Sequence, residues 1–131
     1  MNHNLGNVSG GIILMVMTWL NVNFGDVNFL TEEDWDKEVG NGIVVVEFWA
    51  GWNSINEVKE LDKLKDAEIF KVNIDTEINL MLKHKVSSIP TVIIYNNGKE
   101  EERWEADITF KASCDRKDIQ EKIDELYSSK F

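Results

Sequence analysis

Cysteine is almost missing from this chain of 131 residues, which contains only Cys114. A single cysteine cannot form an intrachain disulfide, so the sequence gives no sign of an oxidising compartment. Histidine is nearly as scarce, with only His3 and His84, which leaves no cluster of His and Cys for a metal. The sequence also lacks a P-loop, a dinucleotide-binding fingerprint and a serine elbow. We therefore expect neither a metal nor any other cofactor.

Positive charge is scarce as well, with 14 Lys and Arg against 24 Asp and Glu and a formal net charge of -10 at pH 7. Nucleic acid and anionic membranes repel such a chain, because binding to either needs a positive surface. We therefore expect no nucleic-acid partner, and we attribute the excess of acids to solubility.

Residues 1–36 contain no Lys or Arg, and this decides the interpretation of the apolar segment 12–24. A secretory signal peptide needs a positive region before its apolar core, and a helix that spans a bilayer needs about 20 apolar residues. The sequence thus predicts no signal peptide, no stable membrane span and a cytoplasmic location. The segment could pack on the following domain or bind another subunit, and translation from Met17 is a third alternative.

Apolar runs and turn residues predict the strands. Residues 43–48 are almost all apolar, which is typical of a central strand covered on both faces. The pair Asn97-Gly98 favours a tight hairpin, and the charged residues after it suit an edge strand. The predicted strands are 20–24, 27–29, 43–48, 69–75, 91–95 and 99–106.

Capping residues and apolar spacing predict four helices. Thr31 caps the first, in which Trp35 and Val39 face the same way. Ser54 and Glu57 have the pattern of a capping box, which predicts that a helix begins there. Asp115 caps the last helix. The apolar stripes of the last three helices are Ile55/Val58/Leu61/Leu64, Ile78/Leu82/Val86 and Ile119/Ile123/Leu126/Tyr127.

Two segments resemble the thioredoxin family. Residues 48–56, Phe-Trp-Ala-Gly-Trp-Asn-Ser-Ile-Asn, follow the central strand where the family has Trp-Cys-Gly-Pro-Cys. Residues 86–95, Val-Ser-Ser-Ile-Pro-Thr-Val-Ile-Ile-Tyr, match the strand that follows the family's cis-proline. The resemblance implies an α/β, thioredoxin-like fold in residues 27–131, with a central mixed sheet flanked by helices. Residues 1–26 would form a short N-terminal extension.

The resemblance places Asn53 and Asn56 at the positions of the family's two cysteines, with Ser54 and Ile55 between them. An amide cannot become a thiolate, so dithiol chemistry is not expected and no catalytic residue is assigned. Asn53, Asn56 and Ser54, with Glu57, either cap and hydrogen-bond the helix or make a polar contact with a partner.

By the same resemblance, Pro90 is cis and the backbone of Ile89 pairs with an extended peptide. Trp52, Ile55, Ile89 and Pro90 would then form a small apolar patch with an open backbone edge, which suits peptide docking. The alternative is that Pro90 only shapes the start of its strand.

Glu47 aligns with the buried acid that moves protons near the family's second cysteine, and burial would raise its pKa. Without a thiol to serve, Glu47 is a hydrogen-bonded remnant, a buried liability or a residue exposed by the shortened helix. Cys114 precedes a predicted helix N-terminus, which can activate a thiol. Asp115 and Asp118 would oppose its thiolate, and a lone cysteine is more often a small buried apolar group.

The sequence therefore predicts a redox-inactive protein that binds another protein as an accessory or structural subunit. The alternative is an enzyme, either a thiol-dependent redox enzyme that uses Cys114 or one whose reaction uses Glu47. A third interpretation is self-association through residues 12–24. The sequence does not identify the partner.

Overall fold

A computed structural model of the protein describes residues 27–130, in which five strands form one sheet. The predicted strand at 20–24 and the apolar segment 12–24 lie outside the described residues. The strands are β1 (Asn28–Phe29), β2 (Ile43–Trp49), β3 (Glu68–Asn73), β4 (Thr91–Asn96) and β5 (Lys99–Trp104). The α-helices are α1 (Trp35–Val39), α2 (Ile78–Lys83) and α3 (Arg116–Ser128), and two 3₁₀ helices span Gly51–Asn56 and Leu61–Lys63.

The sheet is mixed, with the strand order β1-β3-β2-β4-β5. β1, β3 and β2 run parallel, whereas β4 is antiparallel to both β2 and β5. The turn between β4 and β5 is tight, because Asn97 and Gly98 both adopt positive φ, at 52° and 83°. The predicted hairpin and the charged edge strand after it are therefore confirmed.

Both faces of β2 are buried, as its apolar run predicted. Its side chains alternate between two core clusters, because successive residues of a strand point to opposite faces. Val44, Val46 and Phe48 pack in the cluster that contains Trp35 of α1. The other cluster contains Ile43, Val45, Val58, Leu61, Leu64, Val92, Ile94, Ile119, Ile123 and Leu126. By this alternation Glu47 points to the face covered by α3.

The first helix begins later than predicted. α1 starts at Trp35, and Thr31 instead closes the preceding turn, where its Oγ1 accepts a hydrogen bond from the Asp34 N–H at 3.3 Å. Trp35 and Val39 are both buried, as their spacing predicted. Their burial fixes which face of this short helix meets the sheet.

The apolar stripe predicted at Ile78, Leu82 and Val86, in the third predicted helix, is wrong. α2 ends at Lys83, before Val86, and it buries Leu80 completely. Ile78 and Leu82 are half to two-thirds exposed, at 50% and 66%. A helix of this length has little more than one face to bury, and Leu80 occupies it.

The last helix agrees with its predicted cap. Asp115 accepts from the Asp118 N–H, and Asp118 accepts from the Asp115 N–H, both at 3.0 Å. This reciprocal pair is a capping box. Ile119, Ile123 and Leu126 are buried, as predicted, whereas Tyr127 is 41% exposed, so its place in the predicted apolar stripe is wrong.

The helix predicted from Ser54 is absent, and the segment that replaces it shapes the whole site. After the 3₁₀ helix Gly51–Asn56, Glu57 is extended, with φ -60° and ψ 151°. The predicted capping box needs the Ser54 hydroxyl to accept from the Glu57 N–H, but the Ser54 backbone carbonyl accepts this hydrogen bond instead, at 3.2 Å. The next amide, that of Val58, donates to the Glu47 carboxylate at 2.9 Å, so the chain is held on the sheet instead of continuing as a helix.

Candidate functional site

Asn53 lies at the centre of the site and is nearly buried, with 6% of its surface exposed. Its Nδ2 donates to the backbone carbonyl oxygens of Ile89, at 3.3 Å, and Phe110, at 2.9 Å. Its Oδ1 accepts from Nδ2 of Asn56 at 2.8 Å. The amide therefore joins three segments of the chain, and the predicted role in capping a helix is wrong for Asn53 and Asn56.

The Ile89–Pro90 peptide bond is cis. The side chain of Ile89 is only 4% exposed and Pro90 is buried, so neither contributes apolar surface to the predicted patch. The Ile89 carbonyl is also occupied, because it accepts from Asn53. The predicted patch of Trp52, Ile55, Ile89 and Pro90 is therefore wrong for Ile89 and Pro90.

Phe110, which the sequence analysis did not single out, supplies apolar surface beside Trp52. Trp52 is 62% exposed, and Phe110 meets its ring edge-on, with the ring centroids 5.6 Å apart. Ile55 follows in the same 3₁₀ helix, and Ile108 belongs to the same loop as Phe110; both isoleucine side chains are exposed. We refer to Trp52, Ile55, Ile108 and Phe110 as the Trp52 surface.

The loop that carries Phe110 is held by Asp107. Oδ1 of Asp107 accepts from the backbone N–H groups of Thr109, at 2.7 Å, and Lys111, at 3.3 Å, and also from the Thr109 hydroxyl. These hydrogen bonds lower the pKa of Asp107, so the carboxylate stays charged and continues to accept from these donors. The Asp107 N–H donates to the Lys111 carbonyl at 2.8 Å, which closes the loop. Phe110 and Ile108 are thus presented by a preorganised turn.

Sequence reasoning missed Ile108 and Phe110. The available signal was two isolated apolar residues in an otherwise polar stretch, beside an Asp that can fold its own backbone into a turn. That signal says nothing about Trp52, because the contact joins residues far apart in the chain.

Glu47 is completely buried, so the prediction that a shortened helix exposes it is wrong. Its Oε2 accepts from the Val58 N–H, and its Oε1 lies 3.7 Å from Nζ of Lys71, which also bonds Glu57. Burial raises the pKa of Glu47 to about 7, although the Val58 N–H and the Lys71 ammonium both oppose the rise. Lys71 also lies over the Trp49 ring, 5.4 Å from its centroid. Glu47 is therefore a structural acceptor with an unusually high pKa.

Cys114 is partly buried beside the N-terminus of α3. Burial raises the pKa of its thiol to about 12, and the negative charges of Asp118 and Asp115 act in the same direction. A thiol with such a pKa remains protonated at neutral pH, and the thiolate is the reactive form. Asp115 and Asp118 therefore disfavour the Cys114 thiolate, as predicted.

Residues 27–130 contain neither a metal-binding cluster nor a membrane-spanning helix. Within this part of the chain, no three side chains of His, Cys, Asp or Glu are grouped so that they could bind a metal ion. None of the described helices has the length and apolar character needed to cross a membrane.

A family model described as Thioredoxin matches residues 26–125 of the chain. A thioredoxin of Mycoplasma genitalium is 33% identical over 66 residues, which are 46% of this chain and 65% of that protein. The chain thus spans slightly less than two thirds of this relative. A thioredoxin of Staphylococcus aureus is 31% identical over 77 residues, which are 53% of this chain and 74% of the relative.

Solved thioredoxin structures have the same fold. The N21Q mutant thioredoxin from Halobacterium salinarum superimposes with a TM-score of 0.63 and 20% identity, over 76% of this chain and 88% of its own. A thioredoxin from Malassezia sympodialis gives a TM-score of 0.61 at 17% identity, over 77% of this chain and 90% of its own. At this level of identity the two structures establish the fold alone.

Proposed function

The chain belongs to the thioredoxin family, and we propose that it acts as a redox-inactive member that binds another protein as an accessory or structural subunit. The sequence contains only Cys114, and Asn53 and Asn56 stand where the resemblance places the two reactive cysteines. Dithiol exchange needs two thiols, one of which attacks as a thiolate. These residues therefore support a function that depends on binding.

The Trp52 surface is the observation that carries the proposal. An exposed tryptophan packed against an exposed phenylalanine is typical of binding hot spots, where aromatic side chains supply contact area at a low entropic cost. The loop of Phe110 is closed by the Asp107 hydrogen bonds and tied to the 3₁₀ helix by Asn53. A surface that is already ordered loses little conformational entropy when a partner binds.

The enzymatic alternatives have weaker support. The pKa of Cys114, about 12, leaves almost no thiolate at neutral pH. Glu47 has no exposed surface, and its Oε2 is occupied by the Val58 N–H, so a substrate would have no route to this carboxylate. Self-association through residues 12–24 stays a prediction, as does the cytoplasmic location expected from the lack of Lys and Arg in residues 1–36.

Affinity capture from cells that express the protein tests the binding function. We would compare the wild-type chain with Trp52→Asp, which places a charge on the Trp52 surface. The matched control is Leu82→Asp, at a residue of α2 that is similarly exposed, at 66% against 62%. We expect a stoichiometric partner that Trp52→Asp loses and Leu82→Asp retains. Equal retention, or no partner at all, would contradict the proposal.

A disulfide-reduction assay tests the redox part separately. With dithiothreitol as the electron donor, the purified protein should not accelerate reduction of a disulfide-linked substrate such as insulin. A dithiol thioredoxin at the same concentration serves as the positive control. Acceleration that disappears in a Cys114→Ser variant would reinstate the thiol-dependent alternative.

A further inference from the structure

A cleft of about 390 Å³ adjoins the Trp52 surface. One wall is formed by residues 55–60, which begin with Ile55 of that surface. The other is formed by residues 111–112 and 114–117, which follow Phe110 in the chain. The cleft exists because the chain leaves the helical path at Glu57, so no long helix fills this side of the sheet. A segment bound on Trp52 therefore has an adjoining space into which it can continue.

The rim of the cleft is basic, although the whole chain has a net charge of -10. Lys59, Lys111, Arg116 and Lys117 line it, and all four are exposed. Among residues 27–130, no ion pair engages Lys59, Lys111 or Lys117. Lys111 and Lys117 also attract the carboxylates of Asp107 and Asp115, but no salt bridge within the described residues holds these three exposed ammonium groups, so they can meet charge from outside the molecule.

The acids of the same cleft are already engaged. Glu57 is bonded to Lys71. Glu60 pairs with Lys63 at 2.6 Å and lies 3.7 Å from Arg116. Asp115 is occupied by the capping box of α3. The lysines therefore dominate the electrostatic potential at the rim. This potential is positive, whereas the chain as a whole is negatively charged.

We propose that the partner presents a short segment with a bulky apolar residue, which packs on the Trp52 surface, flanked by Asp and Glu residues, which lie in this basic cleft. The inference rests on the proposed binding function and adds the chemistry of the ligand to it. Few charges on a short peptide match the few lysines of the rim. A long polyanion would instead meet the repulsion of the strongly acidic remainder of the chain.

Selection from a random library of peptides, each of about twelve residues, tests the ligand chemistry. The full chain is immobilised and the retained peptides are sequenced. We expect enriched peptides to contain an aromatic or large aliphatic residue with Asp or Glu close to it in sequence. Apolar peptides without an acidic bias would overturn this inference but leave the binding function standing. If nothing is enriched, this inference is overturned as well, and the affinity capture described above decides the binding function.

Charge reversal then locates the contact. Binding of one enriched peptide, labelled for fluorescence anisotropy, is compared between two triple variants with the same net charge. Lys59→Glu/Lys111→Glu/Lys117→Glu changes the cleft, and Lys37→Glu/Lys83→Glu/Lys99→Glu changes exposed lysines elsewhere. We expect the cleft variant to bind about tenfold more weakly or worse, and the control to change far less. Equal weakening in both variants would show that only net charge matters and would overturn the proposal.

Discussion

The side-chain amide of Asn53 donates to the carbonyl oxygen of Phe110 at 2.9 Å, across 57 positions of sequence. This bond ties the 3₁₀ helix that carries Trp52 to the loop that carries Phe110. The relative position of the two exposed rings is therefore set by a buried amide, at a position where the family resemblance places a cysteine. Asn53 is a positioning residue of the Trp52 surface.

Asn53→Ala should lower the free energy of unfolding by about 1–3 kcal/mol, because it leaves the carbonyls of Ile89 and Phe110 without their donor. Ser54→Ala is the matched control in the same 3₁₀ helix, and we expect a change within about 0.5 kcal/mol, since Ser54 is exposed and accepts the Glu57 N–H through its backbone. Urea denaturation measures both. A larger loss for Ser54→Ala than for Asn53→Ala would contradict the assignment of hydrogen bonds at this site.

Phe110 has a φ of 62°, in the left-handed region that a side chain disfavours. We therefore expect Phe110→Gly to be more stable than Phe110→Ala by about 1 kcal/mol, because both lose the ring but only Ala keeps the unfavourable Cβ. Thermal unfolding of the two variants side by side gives the difference. If alanine proves the more stable substituent, the loop does not hold Phe110 at positive φ in solution.

Glu47 should make stability depend on pH. Its pKa rises from 4.5 to about 7 on folding, so the folded chain binds more protons between these values and stability falls as pH increases through them. Glu47→Gln keeps an acceptor for the Val58 N–H and removes the titration. At pH 8 we expect this variant to be more stable than the wild type by roughly 1–3 kcal/mol, since the lost attraction to Lys71 offsets part of the gain.

Unfolding free energies measured from about pH 4 to about pH 8 check this prediction. The difference between the wild type and Glu47→Gln should be small at the acid end and should grow as pH rises. Glu33→Gln, at an exposed carboxylate, is the control and should leave the profile unchanged. A difference that is constant across the range would mean that the pKa of Glu47 is not raised.

The thiol of Cys114 should react slowly while the protein is folded. At pH 8 a thiol with a pKa near 12 is almost entirely protonated, whereas an unfolded cysteine is substantially ionised. We expect the native protein to react with a thiol-specific disulfide reagent at least about a hundredfold more slowly than the denatured chain. Similar rates in the two states would show an accessible thiolate and would favour the redox alternative.

The parts of the fold that sequence predicted correctly are those decided by local chemistry. The Asn97-Gly98 turn needs two residues that tolerate positive φ, and the capping box of Asp115 and Asp118 closes within one helical turn. The run at 43–48 is buried on both faces because side chains along a strand alternate between the two faces, and a nearly continuous apolar run places apolar residues on both. In each case the pattern and the contacts that satisfy it lie within a few residues.

The predictions for the site were wrong where a contact with a residue distant in sequence replaced the contact that the local pattern favours. Ser54 and Glu57 have the right spacing for a capping box, but Glu57 bonds Lys71 of β3 and the next amide donates to Glu47 of β2. Ile89 was assigned to the surface from the resemblance, whereas its side chain packs in the core. Long-range contacts of this kind leave no periodic signal in the sequence.

The Asn53 tie also determines what the Trp52 surface can respond to. In a dithiol protein the two positions gain and lose a covalent bond as electrons arrive and leave, so the face shown to a partner changes with the supply of reductant. Side-chain amides are not oxidised or reduced in the cell, and the three hydrogen bonds of Asn53 hold this face in a single conformation. On the proposed function, occupancy of the surface would follow the abundance of the partner and would carry no information about metabolic electron flow.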